Sequence, residues 1–170
     1  MTATNDSEVT HLELRLSPDP TLVATVRRFV GDLCARVLGD ADVTSRVIVA
    51  AHELLDNAAR YSARDGCLLR VELQRIGNEA AVVIVTENKV SEERRREIAG
   101  LIRDMDASSD RAAFYQGLLR RAAKRSEGSG LGLGRVHAES ELTLSSSLQG
   151  DIVRIRAEGR FSLMTGAALR

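Results

Sequence analysis

Glu53-Leu54-Leu55-Asp56-Asn57-Ala58 decides the reading of this chain, because it sets an acid and an amide four residues apart within an apolar helical run. Side chains at i and i+4 project from one helix face, so Glu53 and Asn57 can reach a common ion. Val47, Ala51, Leu54, Leu55 and Ala58 recur at helical spacing, which predicts a helix to about Ser62 with Asp42 or Thr44 as its cap. Further along, Gly128-Ser129-Gly130-Leu131-Gly132-Leu133 opens a later helix. A glycine-rich turn feeding a helix is an anion seat: the first N–H groups lack partners, the helix dipole is positive there, and no side chain blocks approach. Either string alone is weak, since polar i,i+4 pairs and glycine turns are ordinary. Together they point to a nucleotide-phosphate and magnesium pocket.

Upstream, Leu12, Leu14 and Leu16 alternate with polar residues and predict a strand with one buried side over residues 11–16. Ser17-Pro18-Asp19-Pro20 stops it and presets a helix carrying Leu22, Val26, Phe29, Val30, Leu33 and Val37, which closes near Gly39. Downstream, strands at residues 68–76 and 80–86 join through Gly77-Asn78 as a hairpin. Ser91 caps a charged helix with Ile98, Leu101, Ile102 and Met105 as its apolar stripe, and a second helix covers residues 109–124. Residues 123–130 read as a connector into a helix over residues 131–140, and two closing strands follow at residues 141–147 and 151–157. This order predicts an α+β, two-layer α/β sandwich: a mixed, mostly antiparallel sheet with helices on one face and the ligand between the layers. Residues 1–9 read as a disordered lead-in, 10–160 as one domain and 161–170 as a tail.

The 170 residues carry 24 basic and 24 acidic side chains, so no net field favours nucleic acid or an anionic membrane. Trp is absent and aromatics are few, which removes the stacking platforms of single-strand binders. Cys34 and Cys67 are far apart, and His11, His52 and His137 lack metal-ligand spacing. Met1 to Thr10, polar and acidic, does not read as a signal peptide, no apolar run approaches membrane length, and the expected setting is cytoplasmic. His52 and Asp56 read as a helix-surface pair, because no motif sets a nucleophile beside them. The Glu92-to-Arg96 cluster reads as a solvated helix face.

Glu53 and Asn57 on the second helix, followed by Gly-x-Gly-Leu-Gly-Leu after a strand pair, resemble the GHKL ATPase and kinase superfamily of histidine-kinase ATP domains, gyrase and MutL. Pro18, Leu22, Arg27, Phe29 and Val30 ahead of that helix resemble the small anti-sigma-factor serine kinases. Asn88 at the strand end, the charged helices with Tyr115 and the glycine string resemble the SiaB-type protein kinase group of stand-alone bacterial regulators. The resemblance implies a Bergerat-type ATP-binding fold over about residues 11–160. It makes Asn57 the magnesium ligand, Glu53 the acid that polarises the group attacking the γ-phosphate, and Arg60 a phosphate neighbour. It makes Gly128, Gly130, Leu131 and Gly132 the lid hinge whose amides cradle phosphate. One box departs. Where the superfamily presents Asp-x-Gly-x-Gly, this chain reads Glu87-Asn88-Lys89-Val90-Ser91, so Glu87 or Asn88 must take the place of the carboxylate that accepts the adenine amino proton.

The implied function is an ATP-dependent, magnesium-dependent serine/threonine kinase acting on a small partner regulator of the anti-sigma-antagonist, STAS-like type. The alternative is a non-catalytic degenerate GHKL module that sequesters a sigma factor or signalling partner. Neither calls for nucleic acid or membrane, and both leave a homodimer open.

Overall fold

A computed structural model of the chain describes residues 8–17, 19–62, 66–123 and 130–164. Five strands and five helices follow in the order β1 (Glu8–Leu16), α1 (Pro20–Leu38), α2 (Ala41–Tyr61), β2 (Cys67–Ile76), β3 (Glu79–Lys89), α3 (Glu92–Asp106), α4 (Arg111–Ala122), α5 (Leu131–Glu139), β4 (Thr143–Gln149) and β5 (Ile152–Ser162). The strands form one sheet in the order β1-β2-β3-β5-β4, and every ladder is antiparallel. With the helices packed on it, the architecture is the expected two-layer α/β sandwich; the parallel element allowed by a mixed sheet is not among the described ladders.

Alternation divides β2 and β3 between two environments. Leu69, Val71 and Leu73 of β2 and Val82 and Ile84 of β3 join Leu54, Leu55 and Val47 of α2 in one buried cluster, and Thr86 and Asn88, in phase with them, are buried too. The opposite phase carries Arg70, Glu72, Val85 and Glu87. Val85 lies directly across from Arg70 on one side and Arg156 on the other, and Glu87 lies between Leu68 and Arg154. Ion pairs Arg70–Glu13 at 2.7 Å, Arg154–Glu87 at 2.7 Å and Arg156–Glu158 at 2.7 Å run over this second face. Arginine stems beside Val85 and Leu68 help explain why both are buried outside the main cluster.

The helix ends follow local chemistry. Asp19 caps α1, its side chain accepting from Thr21 N–H, and Gly39 closes the helix at φ 64, a conformation open to glycine at little cost. Asp40, rather than Asp42 or Thr44, caps α2: one extended residue follows Gly39, and its carboxylate accepts from the N–H of Asp42 and of Val43 at 3.0 Å each. Its other oxygen accepts from Met164 N–H at 2.8 Å, tying the segment just after β5 to the start of α2. These backbone donors, Val43 foremost, hold the Asp40 carboxyl below its ordinary pKa.

Several elements outrun their sequence signals. β1 begins at Glu8, inside the stretch read as a lead-in, because residues 8–10 pair with Leu73, Gln74 and Arg75. β3 continues to Lys89 because β5 supplies partners as far as Ile152. β5 runs to Ser162, past the expected domain end at residue 160, and buries Phe161 opposite Ala80. Ser91 caps α3 as expected. Pro18, Gly128, Ser129 and most of the expected 123–130 connector lie outside the described residues, as do 1–7 and 165–170. Among the described residues, no helix is long and apolar enough to cross a membrane.

Candidate functional site

Glu53 and Asn57 come from the middle of α2, where Leu54, Leu55 and Ala58 turn inward onto the sheet and leave these two polar side chains half-buried beside α5. The first turn of α5 lies against both. A Cβ placed on Gly132 would stand 2.7 Å from Glu53 Oε2 and 2.8 Å from Asn57 Nδ2. Glycine lets the α5 backbone come this close without pushing either side-chain end aside. The helix starts after Gly130, which holds φ 65 and, being glycine, supplies no side-chain cap. The first string and the described part of the second thus meet at one helix crossing.

Gly130 and, just past the string, Gly134 also make room for neighbours. A Cβ on Gly130 would meet Leu101 of α3 at 2.6 Å, and one on Gly134 would meet Leu118 of α4 at 2.3 Å. These glycines therefore form a packing surface, drawing α2, α3 and α4 around the start of α5. Leu131 is half-buried and packs against the core cluster.

A basic residue absent from the sequence reading completes the cluster. Arg135 donates from a terminal nitrogen to Glu53 Oε1 at 3.1 Å and from Nε to Glu139 Oε2 at 2.9 Å. The Glu139 hydrogen bond foremost, and that to Glu53, raise the Arg135 pKa against the opposing effect of burial. Tyr115 of α4 stands near the same charges, and burial first, then Glu139, raises its phenol. The sequence signal for Arg135 was its spacing: three residues after Gly132, it shares the helix face that meets Glu53.

The remaining candidates are not gathered there. Glu87 alternates onto the second face of the sheet and is paired with Arg154, so it does not face the α2 side. Asn88 does point toward the helix layer, buried, its amide nitrogen making one long hydrogen bond of 3.5 Å to its neighbour's carbonyl. Arg60 is exposed on α2 and paired with Asp56 at 3.0 Å, so Asp56 pairs with arginine and not with His52. Arg94, read as part of a solvated face, instead lies over the Tyr61 ring at 3.9 Å and pairs with Glu97 at 2.8 Å. A cleft of about 370 Å³ opens at the sheet end, lined by Leu16, Cys67, Glu87, Asn88 and Ile152 among others.

Thiol chemistry does not fit these surroundings. Cys34 and Cys67 are both buried, and burial pushes the Cys34 thiol up to about 12. His137 is a core histidine set edge-on to Phe114, its pKa lowered by burial and then by Arg111. Among the described residues, no three His, Cys, Asp or Glu side chains cluster as a metal site. A magnesium ion here would rely on phosphate oxygens and water with few protein ligands, the usual arrangement at nucleotide sites. The space that Gly132 leaves is taken up by the ends of Glu53 and Asn57, and Glu87, the carboxylate expected at the adenine, lies on the other face of the sheet.

No family model matches the chain, and no curated protein matches it. Among solved structures it is similar to a chain of the crystal structure of the SiaB-SiaC complex from Pseudomonas aeruginosa, with a TM-score of 0.67 over 87% of this chain and 88% of that one. Their sequences are 17% identical, so the likeness is one of fold.

Proposed function

We propose that the chain is a signalling regulator that binds Mg-ATP between α2 and α5 and passes the terminal phosphoryl group to a serine or threonine of a small STAS-like partner protein. The carrying observation is the convergence on Gly132: the acid Glu53 and the amide Asn57 of α2 lie against the first turn of α5, although that turn is far from both in sequence. Phosphoryl transfer asks mainly for positioning and charge neutralisation, and this inventory supplies both. Magnesium would neutralise phosphate charge. Asn57 would hold the ion, the amides at the start of α5 would orient phosphate oxygens, and Glu53 would take the acceptor hydroxyl proton as the oxygen–phosphorus bond forms and the bond to the ADP leaving group breaks. The fold likeness to a chain from a two-protein complex supports a protein as the partner.

A second reading is favoured by two observations. Arg135 already neutralises Glu53, and Glu87 is spent on Arg154, leaving the adenine end without its carboxylate. A non-catalytic module that holds a sigma factor or signalling partner without turnover accommodates both. Transfer of γ-labelled phosphate to a purified STAS-domain partner separates the readings. The kinase reading expects label on serine or threonine, with a loss of about a hundredfold or more in Glu53→Gln while Mg-ATP binding persists. Undiminished transfer by Glu53→Gln removes that role, and partner binding without any transfer favours the second reading.

A further inference from the structure

We propose that the open edge of β1 and the flank of α1 above it bind a second copy of the chain, the two β1 strands pairing antiparallel about Leu12 to join two sheets into one. The proposal stands independently of the Mg-ATP reading. β1 is an edge strand: β2 lies on one side, and among the described residues no strand pairs with the other. Its nine residues keep one unbroken register with β2 and include no bulge, proline or lysine, devices that commonly blunt an edge. The opposite edge, β4, is shorter, carries three successive serines and has α3 packed against it.

An apolar flank lies above the β1 edge. α1 packs over β2 and α2 chiefly over β3, so α1 is the helix nearer β1. It runs back along β1, from Pro20 just past the strand's end to Leu38, whose carbonyl accepts from Arg75, the residue paired with Glu8. Nineteen helical residues and nine strand residues each span about 30 Å. The two elements therefore match in length, and their midpoints, Phe29 and Leu12, lie at one level. Gly31 backs onto Ile48 of α2, and Phe29, two positions earlier, points roughly 200° away from it. Leu22 and Phe29 are accordingly 43% and 51% exposed, while Val26 and Leu33 of the same stripe and Leu12 and Leu16 of β1 are only partly buried against the core. A two-fold axis through Leu12 would set one Phe29 beside the other and close this seam, the self-complementary arrangement of most dimers.

Charge selects the register. Pairing about Leu12 uses the whole of β1 and, on the face that carries the Arg70–Glu13 pair, sets His11 opposite Glu13 and Val9 opposite Arg15, each twice. Moving the centre to Glu13 puts Glu13 opposite itself and His11 opposite Arg15. Moving it to His11 leaves Glu13 facing Val9. Like charges directly opposite destabilise a strand pair and complementary ones stabilise it, so the Leu12 register is preferred.

The test is sedimentation velocity on the full chain and on Val9→Glu, Val9→Arg and Phe29→Asp, with circular dichroism melts to confirm folding. Val9 is 58% exposed and Phe29 half-exposed, so these changes leave the core of one copy intact. The chain should be a concentration-dependent dimer. Val9→Glu, placed opposite Arg15 of the second copy, should tighten the dimer several-fold, and Val9→Arg should weaken it several-fold, because each change acts twice. Phe29→Asp brings two carboxylates together at the axis and should weaken it at least about tenfold. A chain that stays monomeric at hundred-micromolar concentration overturns the proposal and leaves the edge for a strand of another protein. So does a dimer indifferent to Phe29→Asp, or one that both Val9 variants shift in the same direction.

Discussion

Replacing Gly132 by alanine puts the helix crossing under direct strain. The new methyl would lie 2.7 Å from Glu53 Oε2 and 2.8 Å from Asn57 Nδ2, well inside an ordinary contact of about 3.5 Å. Helix propensity favours alanine over glycine by up to about 1 kcal/mol. Against this stands overpacking, which costs about 1–3 kcal/mol in a tight interface. The atoms in the way are the far ends of side chains, so the low end of that range applies. Glu53 can swing aside at the loss of its partly exposed pair with Arg135, worth about 0–1 kcal/mol. The net is a destabilisation of about 0–1 kcal/mol, or a fall in Tm of no more than roughly 4 °C. Binding should suffer more than folding, because relief of the clash displaces both groups proposed to serve Mg-ATP. Thermal melts and Mg-ATP titration of Gly132→Ala measure the two effects separately. A variant stabilised by the full propensity gain, with unchanged Mg-ATP affinity, would refute the claim that α5 rests on Glu53 and Asn57.

Three further outcomes follow from the same geometry. Gly134→Ala places a methyl 2.3 Å from Leu118 and 3.2 Å from Tyr115, both against a buried backbone, so it should destabilise by about 1–2 kcal/mol in a urea melt; a neutral result would mean that α4 is not packed there. Asp40→Ala removes the α2 cap and orphans Met164 N–H, which should cost about 1–2 kcal/mol. Because the folded pKa of Asp40 is depressed, that contribution is present above the unfolded value of about 3.9 and lost as pH falls through the lower folded value, so the gap between wild type and variant should close in acid. A gap that widens instead would contradict the sign. Glu87→Gln breaks an exposed-face pair with Arg154, should shift stability by less than about 1 kcal/mol, and should leave Mg-ATP affinity unchanged; a large loss of affinity would place Glu87 at the nucleotide after all.

The layer architecture was legible because its signals are local. The Leu12, Leu14 and Leu16 alternation, the Pro20 start of α1 and the Ser91 cap of α3 each act within a few residues, and each appears where the pattern put it. Element ends were not, because partners distant in sequence fix them: β3 reaches Lys89 and β5 reaches Ser162 only because each gives the other a ladder. The same division runs through the site. Glu53 and Asn57 share a face by helix geometry alone, and that could be read directly. Their meeting with Gly132, and the neutralising Arg135, depend on how α5 crosses α2, which no single stretch of sequence encodes. Glu87 was separable from Asn88 in principle, since Val82, Ile84, Thr86 and Asn88 share one phase and Glu87 the other.

The central claim is that the α2–α5 crossing receives Mg-ATP. Its most direct measurement is the Tm of the whole chain with and without millimolar Mg-ATP. At a ligand concentration about a hundred times Kd, binding to the native state alone adds about 2.7 kcal/mol, which for a chain of this size raises Tm by roughly 5–10 °C. The account predicts that rise, and predicts that Asn57→Ala sharply reduces it. An unchanged Tm in millimolar Mg-ATP would contradict it.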